Sequence, residues 1–173
     1  VVMRLVYRLQ HLSQHDSLTG LLNRRAIENS LDKEAQRLQR FGEIYSVMLV
    51  DIDHFKRIND DQGHLAGDHV LKELARIVQA RIRRDEIFAR YGGEEFAIVL
   101  PETSLDGARQ LAEGLRQKVA SSEFVFQQEK IMFTISSGVA ELSPNEKTCL
   151  DLIQIADERL YEAKRGGRNR VVG

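Results

Sequence analysis

The segment Tyr45–Ile52 reads YSVMLVDI, a continuous apolar run that ends beside an acid. An uninterrupted run of this length is typical of a central strand that is buried on both faces. The residues that follow, 53–60, read DHFKRIND and are rich in charge, Asp and Asn. The sequence therefore predicts a buried strand with a cluster of polar side chains where it ends.

The segments on either side predict further helices and strands. Asn23 can cap a helix that runs to about Phe41, and Ser104 can cap another helix. The other predicted elements are a helix from Gly67, a hairpin around Gly92-Gly93, a strand at residues 131–140, a last helix ended by Gly166-Gly167 and an edge strand at residues 170–172. A hairpin among alternating elements predicts an α+β fold, with a partly antiparallel sheet and helices on its faces.

Asp51 and Asp53 stand at the end of the predicted central strand. If the chain bends there, both carboxylates can approach one cation, and Mg²⁺ is usually held by one or two carboxylates together with phosphate oxygens. Lys56 adds a positive charge suited to phosphate. The alternative is a solvated turn between strand and helix, where Asp and Asn are common.

The predicted hairpin carries Glu94 and Glu95 directly after Gly92-Gly93, whose tight turn requires positive φ. If its tip lies beside the end of the central strand, Glu94 approaches Asp51. Two converging acids stay ionised most easily around a bound cation. The alternative is a plain Gly-Gly hairpin with charged shoulders.

A third cluster, residues 164–170 (KRGGRNR), brings four cations to the end of the last helix. They can compensate the helix dipole or hold phosphate, and composition does not choose between these roles.

Composition narrows the class of protein. The chain has 173 residues, enough for one domain, and its net charge of −1 argues against a surface for binding duplex nucleic acid. No apolar run approaches the roughly 20 residues that span a bilayer.

With one cysteine, Cys149, no disulfide can form within the chain, which fits a cytoplasmic location. Because the first residue is Val1, we expect a piece of a longer protein, whose other parts could be anchored to a membrane.

The N-terminal residues place Val2, Leu5, Leu9 and Leu12 at spacings of three and four. This pattern predicts either the end of a coiled-coil linker from an upstream sensor, over residues 1–15, or an amphipathic helix that lies on its own domain.

Five stretches, in order, resemble the motifs of the GGDEF family. They are residues 16–25 (DSLTGLLNRR), 51–60 (DIDHFKRIND), 63–68 (GHLAGD), 90–96 (RYGGEEF, the Glu variant of the family's name motif) and 161–170 (YEAKRGGRNR). The resemblance covers nearly the whole chain and implies a catalytic domain over residues 16–173. It also implies a palm-like fold, similar to nucleotidyl cyclases and the palm of polymerases.

The resemblance implies the activity of a diguanylate cyclase, which condenses two GTP into cyclic di-GMP and two pyrophosphates. It implies Mg²⁺, or Mn²⁺ in its place, as the cofactor. It further implies a homodimer, since each domain binds one GTP and two half-sites must face each other.

The resemblance also assigns residues to the metal and the reaction. Asp51, Glu94 and the Ile52 carbonyl would bind Mg²⁺, and Asp53 matches an acid that can join a second metal. Glu94 would also help to deprotonate the 3′-hydroxyl, and Lys56 would stabilise charge in the transition state.

Other matched positions would bind the substrate. Asn59 and Asp68 would read guanine, with His64 in the same pocket, whereas their structural alternative is a role as turn and helix-cap residues. Lys164 and Arg168 would hold the triphosphate.

Many family members carry an inhibitory product site, RxxD, before the hairpin. Here Arg83 matches, but Glu86 replaces the Asp, so its longer side chain would shift the hydrogen bonds to the product. The alternative is an exposed, charged helix end.

Three other functions compete with the cyclase. One is an inactive GGDEF domain that binds GTP or cyclic di-GMP for signalling. The others are a different nucleotidyl cyclase or polymerase-like palm, and a purely structural dimerisation module. A P-loop GTPase is excluded, because no GxxxxGK[ST] occurs.

Overall fold

The computed structural model describes residues 3, 14–142 and 149–173, and in it the run Tyr45–Ile52 is a strand whose residues are all buried. The strands are β1 (Leu22–Asn23), β2 (Tyr45–Ile52), β3 (Ile87–Arg90), β4 (Glu95–Pro101), β5 (Phe124–Phe126), β6 (Glu129–Ile131), β7 (Ile135–Leu142) and β8 (Val171–Val172). The helices over these ranges are α1 (Arg24–Phe41), α2 (Phe55–Gln62), α3 (His64–Gln79), α4 (Leu105–Ser121) and α5 (Cys149–Arg165).

Six of the strands form one mixed sheet in the order β1-β3-β4-β2-β7-β8, and β5 pairs with β6 in a separate hairpin. The central strand β2 is antiparallel to both of its neighbours, β4 and β7. The outer pairs β1–β3 and β7–β8 are parallel. This mixed sheet with flanking helices confirms the predicted α+β, palm-like fold.

The two faces of β2 pack against different helices, because successive side chains in a strand alternate between faces. Met48, Val50 and Ile52 belong to the core cluster that includes α3 and α4. Val47 and Leu49 belong to the cluster that includes α1 and α5. Asp51 continues this second series, so its side chain emerges on the α5 side of the sheet.

Helix α5 packs closely on β7 at Gly138. A Cβ at that position would collide with the α5 backbone at Ala156 and Leu160, so only glycine allows this approach. Because Ala156, Leu160 and Lys164 are four residues apart, they lie on one face of the helix. The contact at Gly138 therefore directs Lys164 towards the end of β2.

Several boundaries match the sequence prediction. The Asn23 side chain accepts a hydrogen bond from Ala26 N and caps α1, and Ser104 caps α4 through Gly107 N. The last helix ends at Arg165, directly before Gly166-Gly167, and the short edge strand is β8.

Other boundaries differ from the prediction. The helix expected from Gly67 begins at His64, and α2 precedes it as a separate helix. The strand expected at residues 131–140 is interrupted, because Ile131 belongs to the β5–β6 hairpin and β7 begins at Ile135. Both differences involve short elements, the eight-residue α2 and the three-residue strands β5 and β6, which are too short to show a clear apolar periodicity.

The hairpin between β3 and β4 is present, but the prediction of positive φ at Gly92-Gly93 is wrong. The positive-φ glycines are Gly20, Gly42, Gly63 and Gly167. The last paired residues are Arg90 and Phe96, and Glu95 O accepts hydrogen bonds from Tyr91 N and Gly92 N. The connection is therefore a wider loop, which does not need the left-handed backbone of a two-residue turn.

The predicted N-terminal seam of Val2, Leu5, Leu9 and Leu12 lies outside the described residues. Within the described ranges, no helix combines the length and the apolar character needed to cross a bilayer.

Candidate active site

Asp51 lies at the end of β2 and is almost fully buried. Its Oδ2 atom accepts a hydrogen bond from Lys164 Nζ at 2.8 Å, an ion pair that joins β2 to the last turn of α5. In the register of the sheet, Asp51 stands opposite Glu95 on β4 and Ser136 on β7. The acid is thus held at the centre of the sheet edge, with a cation on one side.

Glu94 reaches the same edge from the neighbouring hairpin, as predicted. Its backbone carbonyl accepts a hydrogen bond from Ile52 N at 3.3 Å, so the loop touches the residue after Asp51. Its side chain is half-buried.

The electrostatics of Asp51 reflect this crowding of acids. Burial raises its pKa from an ordinary 3.8 to about 6, the Lys164 ammonium opposes the rise, and the nearby carboxylates of Glu94 and Glu95 add to it. A carboxyl group in this environment gains from a further positive charge. The site therefore attracts a cation.

The site suits a metal ion whose remaining ligands come from the substrate. Within residues 14–142 and 151–173, no three His, Cys, Asp or Glu side chains converge to hold a metal by themselves. Mg²⁺ usually takes only one or two carboxylates and fills its other positions with water and phosphate oxygens. Asp51, Glu94 and the Ile52 carbonyl are hard oxygen donors at one sheet edge, so these residues suit Mg²⁺ bound together with a nucleoside triphosphate.

Asp53 is also buried, but it faces different groups. Its carboxylate accepts hydrogen bonds from Thr134 Oγ1 and Ser136 Oγ, each at 2.7 Å, and from Asn169 N at 2.9 Å. The chain turns sharply after it, at His54, which has a left-handed φ of 55°. The chain therefore bends after the strand, but Asp51 and Asp53 do not share one set of partners.

The predicted guanine readers lie on the two consecutive helices α2 and α3. Asn59 lies within α2, and its carboxamide packs where a Cβ on Gly67 would stand, one residue before Asp68. Asn59 and Asp68 are half-buried, and His64 is exposed at the first position of α3. Neither Asn59 nor Asp68 caps a helix, because the N-cap positions are His54 and Gly63. The helix-cap alternative is therefore wrong.

The predicted phosphate-binding cations flank the acids. Lys164 pairs with Asp51, and Arg168 is exposed in the loop after α5. Lys56 is exposed on the first turn of α2. Together they supply positive charge on two sides of the β2 end.

The candidate product site directly precedes β3, at the end of that strand away from the loop that carries Glu94. Glu86 Oε2 accepts a hydrogen bond from Arg83 N at 2.6 Å, and its Oε1 atom is 4.0 Å from Arg83 Nε. The Arg83 side chain is 76% exposed, whereas that of Glu86 is 6% exposed. Arg83 is thus available to a ligand, while Glu86 is engaged within the turn.

Asp16 and Arg90 were not among the predicted site residues, although both lie in motifs that resemble those of the family. Arg90 donates to Asp16 at 3.1 Å and to Gly93 O at 2.7 Å, so it braces the loop that carries Glu94. Burial works to raise the pKa of Asp16, but hydrogen bonds from Thr19 and the charge of Arg90 hold it below its ordinary value. The sequence signal was an Arg and an Asp in two separate motifs. The sequence alone does not show that these residues, 74 positions apart, form a pair.

Comparison with known proteins is consistent with this geometry. Residues 13–170 match the family model described as "Diguanylate cyclase, GGDEF domain". The chain is 47% identical over 156 residues to Diguanylate cyclase DgcP of Pseudomonas aeruginosa, which covers 90% of this chain and 23% of that protein. The chain thus spans about a quarter of the length of this relative.

Solved structures share the fold. The coiled coil and GGDEF domain of DgcB from Caulobacter crescentus, solved in complex with c-di-GMP, superposes with a TM-score of 0.93 at 32% identity, covering 99% of this chain and 91% of that one. The active GGEEF domain of a diguanylate cyclase from Vibrio cholerae gives a TM-score of 0.82 at 39% identity, with 88% and 96% of the two chains covered.

Proposed function

Because the chain belongs to the GGDEF domain family, we propose that it is a diguanylate cyclase that condenses two GTP molecules into cyclic di-GMP. The observation that carries the proposal is the meeting of Asp51, Glu94 and Lys164 at the end of β2. This cluster offers oxygen ligands for Mg²⁺ and a cation for phosphate at one place. The 47% identity to a curated diguanylate cyclase supports the same activity.

The proposed substrate is GTP rather than ATP. The Asp68 carboxylate can accept hydrogen bonds from guanine N1 and N2, and the Asn59 carboxamide can donate to N3 or O6. Adenine would leave these half-buried groups unpaired, which is how polar pockets reject a related base. Asp68→Ala should therefore reduce the preference for GTP over ATP in competition assays, whereas unchanged discrimination would refute this role.

The proposed reaction is transfer of a nucleotidyl group. The 3′-oxygen of one GTP forms a bond to the α-phosphorus of the other, the bond to pyrophosphate breaks, and the hydroxyl proton leaves towards Glu94. Two such transfers close the ring and release two pyrophosphates. Bound Mg²⁺ would stabilise the charge on the phosphate oxygens. Lys164 and Arg168 would hold the triphosphate, and Lys56 would stabilise charge that develops in the transition state.

Two copies of the domain are needed, because one site holds one GTP and the attacking hydroxyl comes from another. We propose a homodimer in which two half-sites face each other. A linker that brings the domains together raises their effective concentration. The proposed location is the cytoplasm, where GTP is available.

We also propose that the product can bind at Arg83 and inhibit the enzyme. The exposed guanidinium is suited to a phosphate or a guanine edge, and Glu86 fixes the backbone of Arg83. Arg83→Ala should then weaken inhibition by added cyclic di-GMP. Superimposable inhibition curves for the two proteins would remove the product site.

The activity is tested by incubating the purified chain with GTP and Mg²⁺, with and without an appended dimerising zipper, and separating the nucleotides by chromatography. We expect cyclic di-GMP and pyrophosphate at least in the zipper sample. Product in both samples would mean that the chain pairs unaided. If neither sample forms product while GTP still binds, the chain is instead an inactive GTP-binding signalling module.

A further inference from the structure

The carboxylate of Asp53 is a hydrogen-bond hub between distant parts of the chain. Oδ1 accepts from Ser136 Oγ, and Oδ2 accepts from both Thr134 Oγ1 and Asn169 N. In addition, Asp53 N donates to Thr134 O at 2.9 Å. Three of the roughly four lone-pair positions of the carboxylate therefore already accept hydrogen bonds, which leaves little of it for a metal ion.

One of these donors belongs to an unusual loop. Gly167, Arg168 and Asn169 all have left-handed φ values, of 114°, 62° and 46°. Consecutive non-glycine residues in this region cost free energy and persist only where their surroundings hold them. The loop must therefore be fixed by contacts outside itself.

Two hydrogen bonds within the segment, Gly167 N to Lys164 O at 3.4 Å and Arg170 Nε to Arg168 O at 3.1 Å, and three others hold the loop. Arg168 N donates to Ala163 O at 3.0 Å, Arg116 Nη1 donates to Asn169 Oδ1 at 2.7 Å, and Asn169 N donates to Asp53. Of these, the bond to Asp53 is the one that ties the loop to the end of β2. Its acceptor is charged, as is the donor of the Arg116 bond, so both are of the stronger kind.

The loop and its anchor lie within the phosphate-binding part of the site. Arg168 is in the loop, Lys164 is on the last turn of α5 before it, and Asp51 is two residues from Asp53. An anchor at Asp53 therefore fixes the distance between the acid that binds the metal and the cation that binds phosphate.

We propose that Asp53 is a positioning residue for the triphosphate, which acts by holding the left-handed loop at residues 167–169, rather than a ligand of a second metal. This inference rests on the proposed function for its effect on GTP, but the anchoring itself does not. It replaces the metal role that the family resemblance implied for Asp53.

The test compares Asp53→Asn with Asp61→Asn, an exposed acid on α2 that pairs with Arg57. Amide hydrogen exchange at Asn169 is measured in the full chain without nucleotide, and Mn²⁺ affinity is measured by electron paramagnetic resonance. We expect exchange at Asn169 to accelerate by about tenfold or more in Asp53→Asn, because the acceptor of the Asn169 N–H loses its charge. Mn²⁺ affinity should stay within about twofold of wild type, as expected when no ligand has been removed. The Asp61→Asn control should change neither quantity.

Steady-state kinetics of zipper-fused proteins supply the functional readout. Asp53→Asn should raise the KM for GTP by about tenfold with a smaller change in kcat, as expected for lost binding of the triphosphate. In an Arg168→Ala background, Asp53→Asn should change the KM for GTP very little. Both substitutions act on the proposed contact between Arg168 and the triphosphate, so their effects should not add. Thr134→Val removes one donor to Asp53 but leaves the bond from Asn169 N, so it should raise the KM for GTP less. This variant replaces Asp53→Asn in the test if Asp53→Asn does not fold.

Two results would overturn the proposal. A Mn²⁺ affinity lowered by more than about tenfold, with Asn169 still protected, would make Asp53 a metal ligand. Full additivity of Asp53→Asn and Arg168→Ala would mean that Asp53 does not act through the loop. If the wild-type chain forms no cyclic di-GMP, the proposed function fails, and the exchange and Mn²⁺ measurements still decide the role of Asp53.

Discussion

Asp51 and Asp53 lie two residues apart at the end of the same strand, and both are buried, yet their surroundings differ in kind. Asp51 faces an ammonium group and two other carboxylates. Asp53 faces two hydroxyl groups and a backbone amide. The first environment is built around charges, and the second is built around neutral donors.

This difference separates a reactive site from its scaffold. Burial, with a smaller contribution from the neighbouring carboxylates, raises the pKa of Asp51, and groups with a shifted pKa often have functional roles. A buried acid that is satisfied by neutral donors holds pieces of structure together and has little left to offer a ligand. Identical residues in one motif can therefore have different roles, and the partners decide which.

The largest effect should come from removing the acid with charged partners. We expect Asp51→Asn to lower turnover by more than about 100-fold, because even the outer partners of a metal site are worth 10–100-fold. Asp53→Asn should retain a kcat much nearer to wild type. Product formation at saturating GTP measures both, and equal losses in kcat would erase the distinction between the two acids.

Stability should show the opposite order. Asp53→Ala leaves three donors without their acceptor, and we expect it to lower the free energy of unfolding by about 3–5 kcal/mol. Asp51→Ala removes a charge that burial disfavours and releases a Lys164 side chain that is 31% exposed, so it should cost about 1 kcal/mol or less. Urea unfolding of the metal-free proteins tests this order, which fails if Asp51→Ala is the less stable variant.

The smallest effect concerns pH. Because the pKa of Asp51 is raised to about 6 in the fold, the native state binds more protons than the unfolded chain between about pH 4 and pH 6. This contribution to stability is present at low pH and is lost as pH rises through 6. It amounts to at most about 3 kcal/mol. The difference in unfolding free energy between wild type and Asp51→Asn should therefore change across this window, and a constant difference would contradict the raised pKa.

The sequence sufficed for features that depend on neighbouring residues. The apolar run of β2, the caps at Asn23 and Ser104, and the end of α5 before Gly166-Gly167 all follow from local patterns. The approach of Glu94 to Asp51 was predicted because the hairpin and the strand end suggested one site.

The sequence did not suffice where partners are remote and neutral. Asp53 meets Thr134, Ser136 and Asn169 across 81, 83 and 116 residues, and hydroxyl groups or amides carry no pattern that marks them. The pairing of Ser136 opposite Asp51 depends on the register of β7, which only the folded sheet sets. The bracing of the Glu94 loop by Arg90 and Asp16 was missed for the same reason.

We propose that the acids at the end of β2 and on the neighbouring hairpin catalyse the synthesis of cyclic di-GMP. The most direct test measures product from GTP and Mg²⁺ for the zipper-fused chain, its Glu94→Gln variant and a matched Glu73→Gln control on α3, with thermal unfolding to verify the fold. We expect cyclic di-GMP from wild type and the control and none from Glu94→Gln, with all three unfolding at similar temperatures. Full product formation by a folded Glu94→Gln variant would contradict this proposal.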